Sequence, residues 1–291
     1  MATIRTIRTR IKTLKHEFDR LKREKGSLLH MIDEAELPET VYNSNAIENS
    51  TLTLKETERI LLQMEVSRNV SLREVFEAKN LARVTEYLRT KETKQELSIE
   101  MILLLHRMLL GNIREEIAGR FRKEGEFVRV GTHIAPAPEH IDRVMEAIIV
   151  DYTSDHESYF ADKIAKFHLD FETIHPFVDG NGRIGRLLIN YQLRDLGFPP
   201  VIIRDKEKDM YYHAFDVYRD GKKTKIMEYI ITRAISESLY KRIAYLKGAT
   251  IITIADYAKR QGKPVPVLLN AARRQTIPAF REKGVWKIGV K

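Results

Sequence analysis

Between positions 175 and 186 the chain reads His-Pro-Phe-Val-Asp-Gly-Asn-Gly-Arg-Ile-Gly-Arg, twelve residues that hold a base, a carboxylate, a glycine-lined turn and two arginines. The chemistry such a set suits is the handling of a nucleotide phosphate. Gly180 and Gly182 let the backbone take turn conformations and come close to a ligand. If a helix opens at Arg183, the backbone N–H groups of residues 180–183 and the helix dipole form an anion site that needs no lysine. Asp179 can hold a magnesium ion that bridges phosphate oxygens. Arg183 and Arg186, three apart and so on one helix face, can fork onto the outer phosphates. His175 supplies the proton chemistry, because an imidazole with a reference pKa of about 6.5 is matched to taking a proton from a hydroxyl near neutral pH.

Taken singly, these residues have plainer uses. A histidine in the apolar run at 171–177 serves as a core or capping residue, Asp-Gly and Asn-Gly are everyday turn pairs, and arginines spaced by three form solvated faces. Taken together, in one order and at one spacing, they resemble the signature of the Fic family, His-x-Phe-x-Asp/Glu-Gly-Asn-Gly-Arg-x-x-Arg, with every fixed position present. The resemblance runs over roughly residues 40–235. Ala118-Gly-Arg-Phe-Arg122, then Val128-Arg-Val-Gly-Thr-His-Ile134 and the Ala-Pro-Ala-Pro138 run, resemble the family's flap near 120–138, a β-hairpin over the active site. Residues 187–203 resemble the helix and turn after the motif. Tyr211-Tyr212 and an Arg219-Asp-Gly221 turn sit where the family closes its adenine pocket; a position that is often Asn in relatives is Arg219 here, and no nucleotide contact is carried onto it.

The resemblance implies transfer of AMP from ATP to a hydroxyl of a protein. His175 would take the proton from the incoming Ser, Thr or Tyr hydroxyl, and Asp179 would bind Mg2+ at the α- and β-phosphates. Gly180, Asn181, Gly182, Arg183 and Arg186 would hold the phosphates, with Asn181 on the α-phosphate. Val130, Gly131, Thr132 and His133 of the flap, together with Tyr211 and Tyr212, would face the nucleotide, and Phe177 would anchor the loop in the core. Implied partners are ATP and a protein substrate docked at the flap by main-chain pairing; self-modification and a homodimer stay open.

Ser44-Asn-Ala-Ile-Glu48-Asn49 matches the inhibitory pattern Ser/Thr-x-x-x-Glu-Gly/Asn that some Fic proteins carry before the catalytic core. The plain alternative is a helix cap with an exposed acid, a role that Thr51 and Thr53 also suit. In such relatives the glutamate pairs with the second signature arginine, here Arg186. Because Arg186 keeps its proton, whichever anion reaches it, carboxylate or γ-phosphate, excludes the other.

The elements that must position these residues read as mainly α. Ile4, Ile7, Ile11, Leu14, Phe18 and Leu21 form an apolar seam at helical spacing, too short to claim a coiled coil and better suited to packing on the chain's own core. Residues 71–89, 98–110, 139–152, 162–173, 184–195 and 224–247 read as further helices. The expected organisation is an N-terminal helical segment at 1–40, a Fic-type helical bundle at 41–248 with an inhibitory helix near 44–49 and a β-hairpin flap, and a small basic domain at 250–291. That last stretch carries nine Lys or Arg against Asp256 and Glu282, so +7 of the chain's net +9. Residues 253–262 and 265–274 read as two short helices and 277–288 as a hairpin turning near Lys283-Gly284. Helix, turn, helix and wing resemble the small domains of excisionase-like and MerR-like proteins, in which basic clusters contact DNA phosphates, although winged helices also dock proteins.

Composition bounds the rest. A chain of 291 residues, 43% hydrophobic and 31% charged, can bury a large core, and it has no apolar run of about 18 residues that could span a bilayer. The basic N-terminus lacks a secretory apolar core. With no cysteine, disulfides, thiol catalysis and cysteine-held metals are excluded. A cytoplasmic location is the simplest fit. Two function classes stand: an ATP-dependent protein adenylyltransferase held in check by Glu48, with removal of AMP by the same site as its variant, and a nucleotide-sensing DNA-binding regulator. An intact His175 favours the enzyme, since a sensor has no use for a base at that position.

Overall fold

A computed structural model describes residues 2–67, 69–90 and 96–290, with side chains from residue 5 onward. The side chain of Ile4, the first of the apolar seam, and Lys291 of the basic stretch lie outside the described residues. The protein is mainly helical. The first helices are α1 (Ala2–Leu21), α2 (Gly26–Ile47), α3 (Leu54–Glu58), α4 (Leu72–Thr90) and α5 (Ile99–Leu110). A short hairpin follows, β1 (Arg129–Val130) paired antiparallel with β2 (His133–Ile134). Then come α6 (Ile141–Ser154), α7 (Phe160–Ile174), α8 (Asn181–Asp195), α9 (Lys208–Gly221) and α10 (Lys225–Leu246). The chain closes with β3 (Thr250–Thr253), α11 (Ile254–Gln261), α12 (Val265–Arg273), β4 (Ala279–Glu282) and β5 (Val285–Val290).

Two compact units divide these elements. One holds Pro38–Leu196 and Ile203–Ile230; the other holds Met1–Leu37, Gly197–Ile202 and Ile231–Lys291. In the first unit α7 packs on α6, α8 and α9, and α4 on α5 and α8. Leu81, Ile102, Leu105, Leu109, Ile164, Phe171, Ile184 and Leu188 are buried along those seams, the periodic apolar faces that make these segments helices. In the second unit the sheet order is β3-β5-β4, all antiparallel. Ile254 and Ala258 of α11 and Leu268 and Ala272 of α12 close over Ala279 and Ile288 of that sheet. Ile11, Leu14 and Phe18 of α1 are buried, so the seam is covered by the chain itself. Arg281 of β4 is buried with Glu237, and Lys241 with Glu36 and Glu282.

Three segments differ from their sequence reading. α2 continues through Pro38 for 22 residues and joins the end of the helical segment read at 1–40 to the helix read near 44–49; its second half is buried on most sides, so it carries no clean stripe. α8 opens at Asn181, two residues before the expected Arg183, because Gly180 caps it from the left-handed region at φ 84°. Residues 219–221 are the last turn of α9 and not a turn in themselves; the left-handed residue is Lys222.

Candidate active site

The loop 175–180 leaves α7 and enters α8, and both exits use left-handed backbone. His175 caps the C-terminus of α7 at φ 49° and ψ 61°, its N–H bonded to the carbonyl of Phe171. Gly180 is tightly surrounded: a Cβ there would stand 3.0 Å from Leu110 Cδ2, so a side chain is excluded by both φ and space. The carboxamide of Asn181 ties the loop shut, accepting from the Phe177 N–H at 2.9 Å and donating to the Phe177 carbonyl at 2.8 Å. That side chain is therefore spent on the loop, and the free backbone N–H groups at the start of α8 are what remains to meet an anion. Phe177 is fully buried and stacks on His106 at 3.7 Å. His106 also takes the Gly119 N–H on Nδ1 and faces the Asp179 carbonyl with Nε2, which fixes its tautomer.

His175 is part-buried, its side chain 18% exposed. Burial holds the imidazole well below its ordinary value, to about 4, with the charges of Arg122 and His133 acting in the same direction and the Glu172 carbonyl and Glu48 against it. It is thus an unprotonated base at neutral pH. Arg122, itself buried, secures this corner by donating to four carbonyls: His175 and Glu126 at 2.9 Å, Pro136 at 2.9 Å and Ile174 at 3.3 Å. It thereby ties the hairpin segment to the base. His133 of β2 bonds the Thr173 carbonyl at 2.8 Å, while Gly131 and Thr132 form the exposed tip after Val130.

Asp179 lies between two arginines, Oδ2 at 2.8 Å from Arg73 Nη2 and Oδ1 at 3.0 Å from Arg183 Nη2. Burial pushes its carboxyl up, but Arg183 and Arg73 outweigh this and leave it below the usual carboxylate range. Arg183 is buried against Glu77 as well, at 3.2 Å. Among the described residues no cluster of three or more His, Cys, Asp or Glu could hold a metal ion.

Arg186 is held by groups of α2, of its exit and of α9. Nη2 donates to Glu48 Oε1 at 2.8 Å and to the Ser44 carbonyl at 2.7 Å, and Nε donates to Ser44 Oγ at 2.9 Å. Nη1 reaches the Tyr211 hydroxyl at 3.4 Å, which itself meets His168 Nε2 at 2.8 Å. Burial disfavours the guanidinium charge, yet Tyr211 and Glu48 more than compensate and raise its pKa. Tyr211 is thereby buried behind Arg186, whereas Tyr212 is partly exposed and bonds the Ile47 carbonyl at 2.7 Å. Asn49 ends α2 in the left-handed region at φ 65°, with its N–H on Ala46, which delivers Glu48 at the helix exit. The plainer capping role falls to Thr53, which makes a capping box with Glu56 at the start of α3.

The tertiary structure thus gathers Ser44, Glu48, Gly182, Arg186 and Tyr211 around one guanidinium and sets Asp179 and Arg183 in a second charged cluster. Sequence reading missed Arg73, Glu77, His106 and Glu172, since each comes from a helix with no motif of its own, and it quoted Arg122 in the flap stretch without giving it a role.

Residues 96–193 match the model of the Fic/DOC family, and the chain carries a Fic domain. It is 32% identical over 228 residues to a protein adenylyltransferase Fic of Nematostella vectensis, covering 76% of this chain and 51% of that protein. It is 34% identical over 184 residues to the protein of the same name from Drosophila melanogaster, covering 62% and 37%. The chain spans about half the length of the first relative and less of the second. Among solved structures, a Fic domain containing signaling protein from Bacteroides thetaiotaomicron superposes with a TM-score of 0.74 at 27% identity, over 83% of this chain and 98% of that one. Fic-1 from C. elegans gives 0.71 at 27% identity, over 84% and 73%. No described helix is long and apolar enough to cross a membrane.

Proposed function

We propose that this protein transfers AMP from ATP to the hydroxyl of a Ser, Thr or Tyr side chain, its own included, and that Glu48 holds the activity in check. The observation that carries this reading is the buried guanidinium of Arg186, aimed at the start of α8 and neutralised by a carboxylate from outside the loop. A buried arginine whose partner is a residue at a helix exit, 37% exposed, is an anion site with an exchangeable occupant. The adenylyltransferase relatives support AMP as the group transferred.

In the transfer, the hydroxyl oxygen bonds to the α-phosphorus, the bond from that phosphorus to the bridging oxygen breaks, and pyrophosphate leaves. The hydroxyl proton passes to His175, which the site keeps unprotonated at neutral pH. Backbone N–H groups at the start of α8 stabilise the phosphate charge without reorganising. Asp179 suits Mg2+, an ion held by one or two carboxylates plus substrate phosphates, and bound there it would neutralise phosphate charge. The flap would receive the target as an added strand.

Mass spectrometry of intact protein after incubation with ATP and magnesium, counting additions of AMP, tests the reading. Glu48→Gly should raise labelling about tenfold or more, because a misplacement near 1 Å costs on the order of a hundredfold and release of Arg186 removes it. His175→Ala in that background should abolish labelling while ATP still binds. Equal labelling of wild type and Glu48→Gly would sink the inhibitory role.

A second reading concerns the second unit, where Lys259, Arg260, Lys263, Arg273 and Arg274 of the α11–α12 region all face solvent. Such clustering favours contact with DNA phosphates in the manner of a winged helix. A mobility shift that weakens steeply with salt and is lost on replacing Lys259, Arg260, Arg273 and Arg274 by Ala tests it.

A further inference from the structure

Glu172 is the buried acid that the transfer just described leaves without a task. It stands in the last turn of α7, three residues before the base, with its side chain 10% exposed. Its Oε1 has no hydrogen-bond partner, and Nδ1 of His175 makes no well-formed hydrogen bond, although the main-chain carbonyl of Glu172 lies near enough to favour the imidazolium. Oε2 of Glu172 lies 3.8 Å from that nitrogen. α8 presses close on the other side, since a Cβ at Gly185 would come within 2.7 Å of Oε1. A buried acceptor without a partner and a buried ring nitrogen with at best a poorly aligned one, a short step apart, are costly groups in a resting structure. Catalytic hydrogen bonds are often long before substrate binds and tighten only in the working complex.

We propose that Glu172 is the positioning residue of the base: in the working state its carboxylate accepts the Nδ1–H of His175, leaves Nε2 as the basic nitrogen, and steadies the imidazolium, while a docked Glu48 withholds this help. The third-group arrangement is the one by which a base is generally oriented. His175 is also faced by Arg122, His133 and Glu48, and Glu172 by Glu48 and Arg186. The carboxyl of Glu172 is pushed up to about 8, first by burial and next by the charge of Glu48, with Arg186 acting against them. Beside a docked Glu48 it is therefore uncharged at neutral pH. When Glu48 leaves, one cause of the rise leaves with it, Arg186 loses its own carboxylate, and Glu172 moves toward the charged form opposite the imidazole. Glu48 would then govern two parts of the site at once, the phosphate-binding arginine and the base.

The inference rests on the adenylyltransferase reading for its kinetic half only. In full-length Glu48→Gly protein, adding Glu172→Gln should lower kcat at least about tenfold while KM for ATP stays within about twofold. The acid limb of the rate profile should move to lower pH, because the neutral amide no longer favours the imidazolium; a merely structural role would leave that limb in place. Nitrogen-15 NMR of His175 reads the same contact without turnover. The Nδ1–H tautomer should predominate in Glu48→Gly, and Glu172→Gln should lower the imidazole midpoint by about half a pH unit or more. The same substitution with Glu48 present should leave the midpoint nearly unchanged. An unaltered tautomer and midpoint in the Glu48→Gly background overturn the proposal. Should Glu48→Gly transfer no AMP at all, the adenylyltransferase reading falls and the imidazole signals alone decide the role of Glu172.

Discussion

A Cβ built on Gly182 would lie 2.1 Å from Oε1 of Glu48, closer than any real side chain permits, and 3.1 Å from Nη1 of Arg186. The glycine leaves open the space that the carboxylate of Glu48 fills. If Glu48 and a phosphate compete for Arg186, that space is shared by both, and filling it should harm both. Gly182→Ala should therefore dislodge Glu48 without activating the protein. In the Glu48→Gly background it should cut self-labelling by about tenfold or more, since small displacements of a reacting phosphate are expensive. Intact-mass counting of AMP additions is the readout, and robust labelling of the double variant would show that the phosphate lies elsewhere.

Arg186→Ala removes the partner of Glu48 and the proposed γ-phosphate ligand in one step. It should not mimic Glu48→Gly, and Glu48→Gly/Arg186→Ala should be no more active than Arg186→Ala. Removing one partner of a buried charge pair also destabilises, here with Tyr211 and Ser44 left facing the gap, by about 3 kcal/mol. Thermal unfolding of the single variants separates the two effects, because Glu48 is the more exposed partner and its loss should cost less.

Arg73 holds Asp179 Oδ2 at 2.8 Å and is itself half exposed, so it competes for the carboxylate proposed to receive Mg2+. An exposed ion pair of this kind is weak. Arg73→Ala should lower the Mg2+ concentration at half-maximal labelling of Glu48→Gly protein by about twofold to fivefold. A rise in that concentration would instead mean that Arg73 binds the nucleotide.

Arg122 spends its guanidinium on four carbonyls at the base of the hairpin. Lysine can reach one or two of them. Arg122→Lys should cost about 2 kcal/mol in unfolding, the usual penalty for buried carbonyls left unpaired. It should also speed amide exchange across 128–134. Unchanged exchange there would deny Arg122 its hold on the hairpin.

Stability should peak near pH 6.5. Burial lowers His106 and His175 to about 4 and His168 to about 3, so between pH 6.5 and those values the unfolded chain binds protons that the native chain refuses. Native stability is lost as pH falls through that window. Glu172 acts oppositely: with its carboxyl at about 8 against 4.5 in the unfolded chain, the native state holds an extra proton between them, and stability drains as pH rises toward 8. Melting temperatures from pH 4 to 9 check both limbs, and Glu172→Gln should flatten the alkaline one.

What the sequence by itself determined is local. The run 175–186 carries its own chemistry because its glycines, its aspartate and its arginines fall on one short loop and the first two turns of the helix after it, where covalent spacing alone brings them together. The hairpin at 279–290 and the short helices before it were legible for the same reason, through turn residues, caps and apolar alternation. The Ser44–Asn49 pattern could be found with a helix near it, yet not the helix that runs from Gly26 through Pro38 to Ile47. Only the tertiary structure decided which groups share a charge. Arg186 meets Glu48 across 138 residues of chain, Arg73 meets Asp179 across 106, and Arg122 meets His175 across 53. No periodicity encodes such pairs, because each is set by how distant segments approach in the fold, and the guanidiniums shielded from water there, those of Arg122 and Arg186, must take whichever acceptors that packing presents. Glu172 is the clearest case: in sequence it is one more acid in an amphipathic helix, and burial beside His175, Glu48 and Arg186 alone gives it a role.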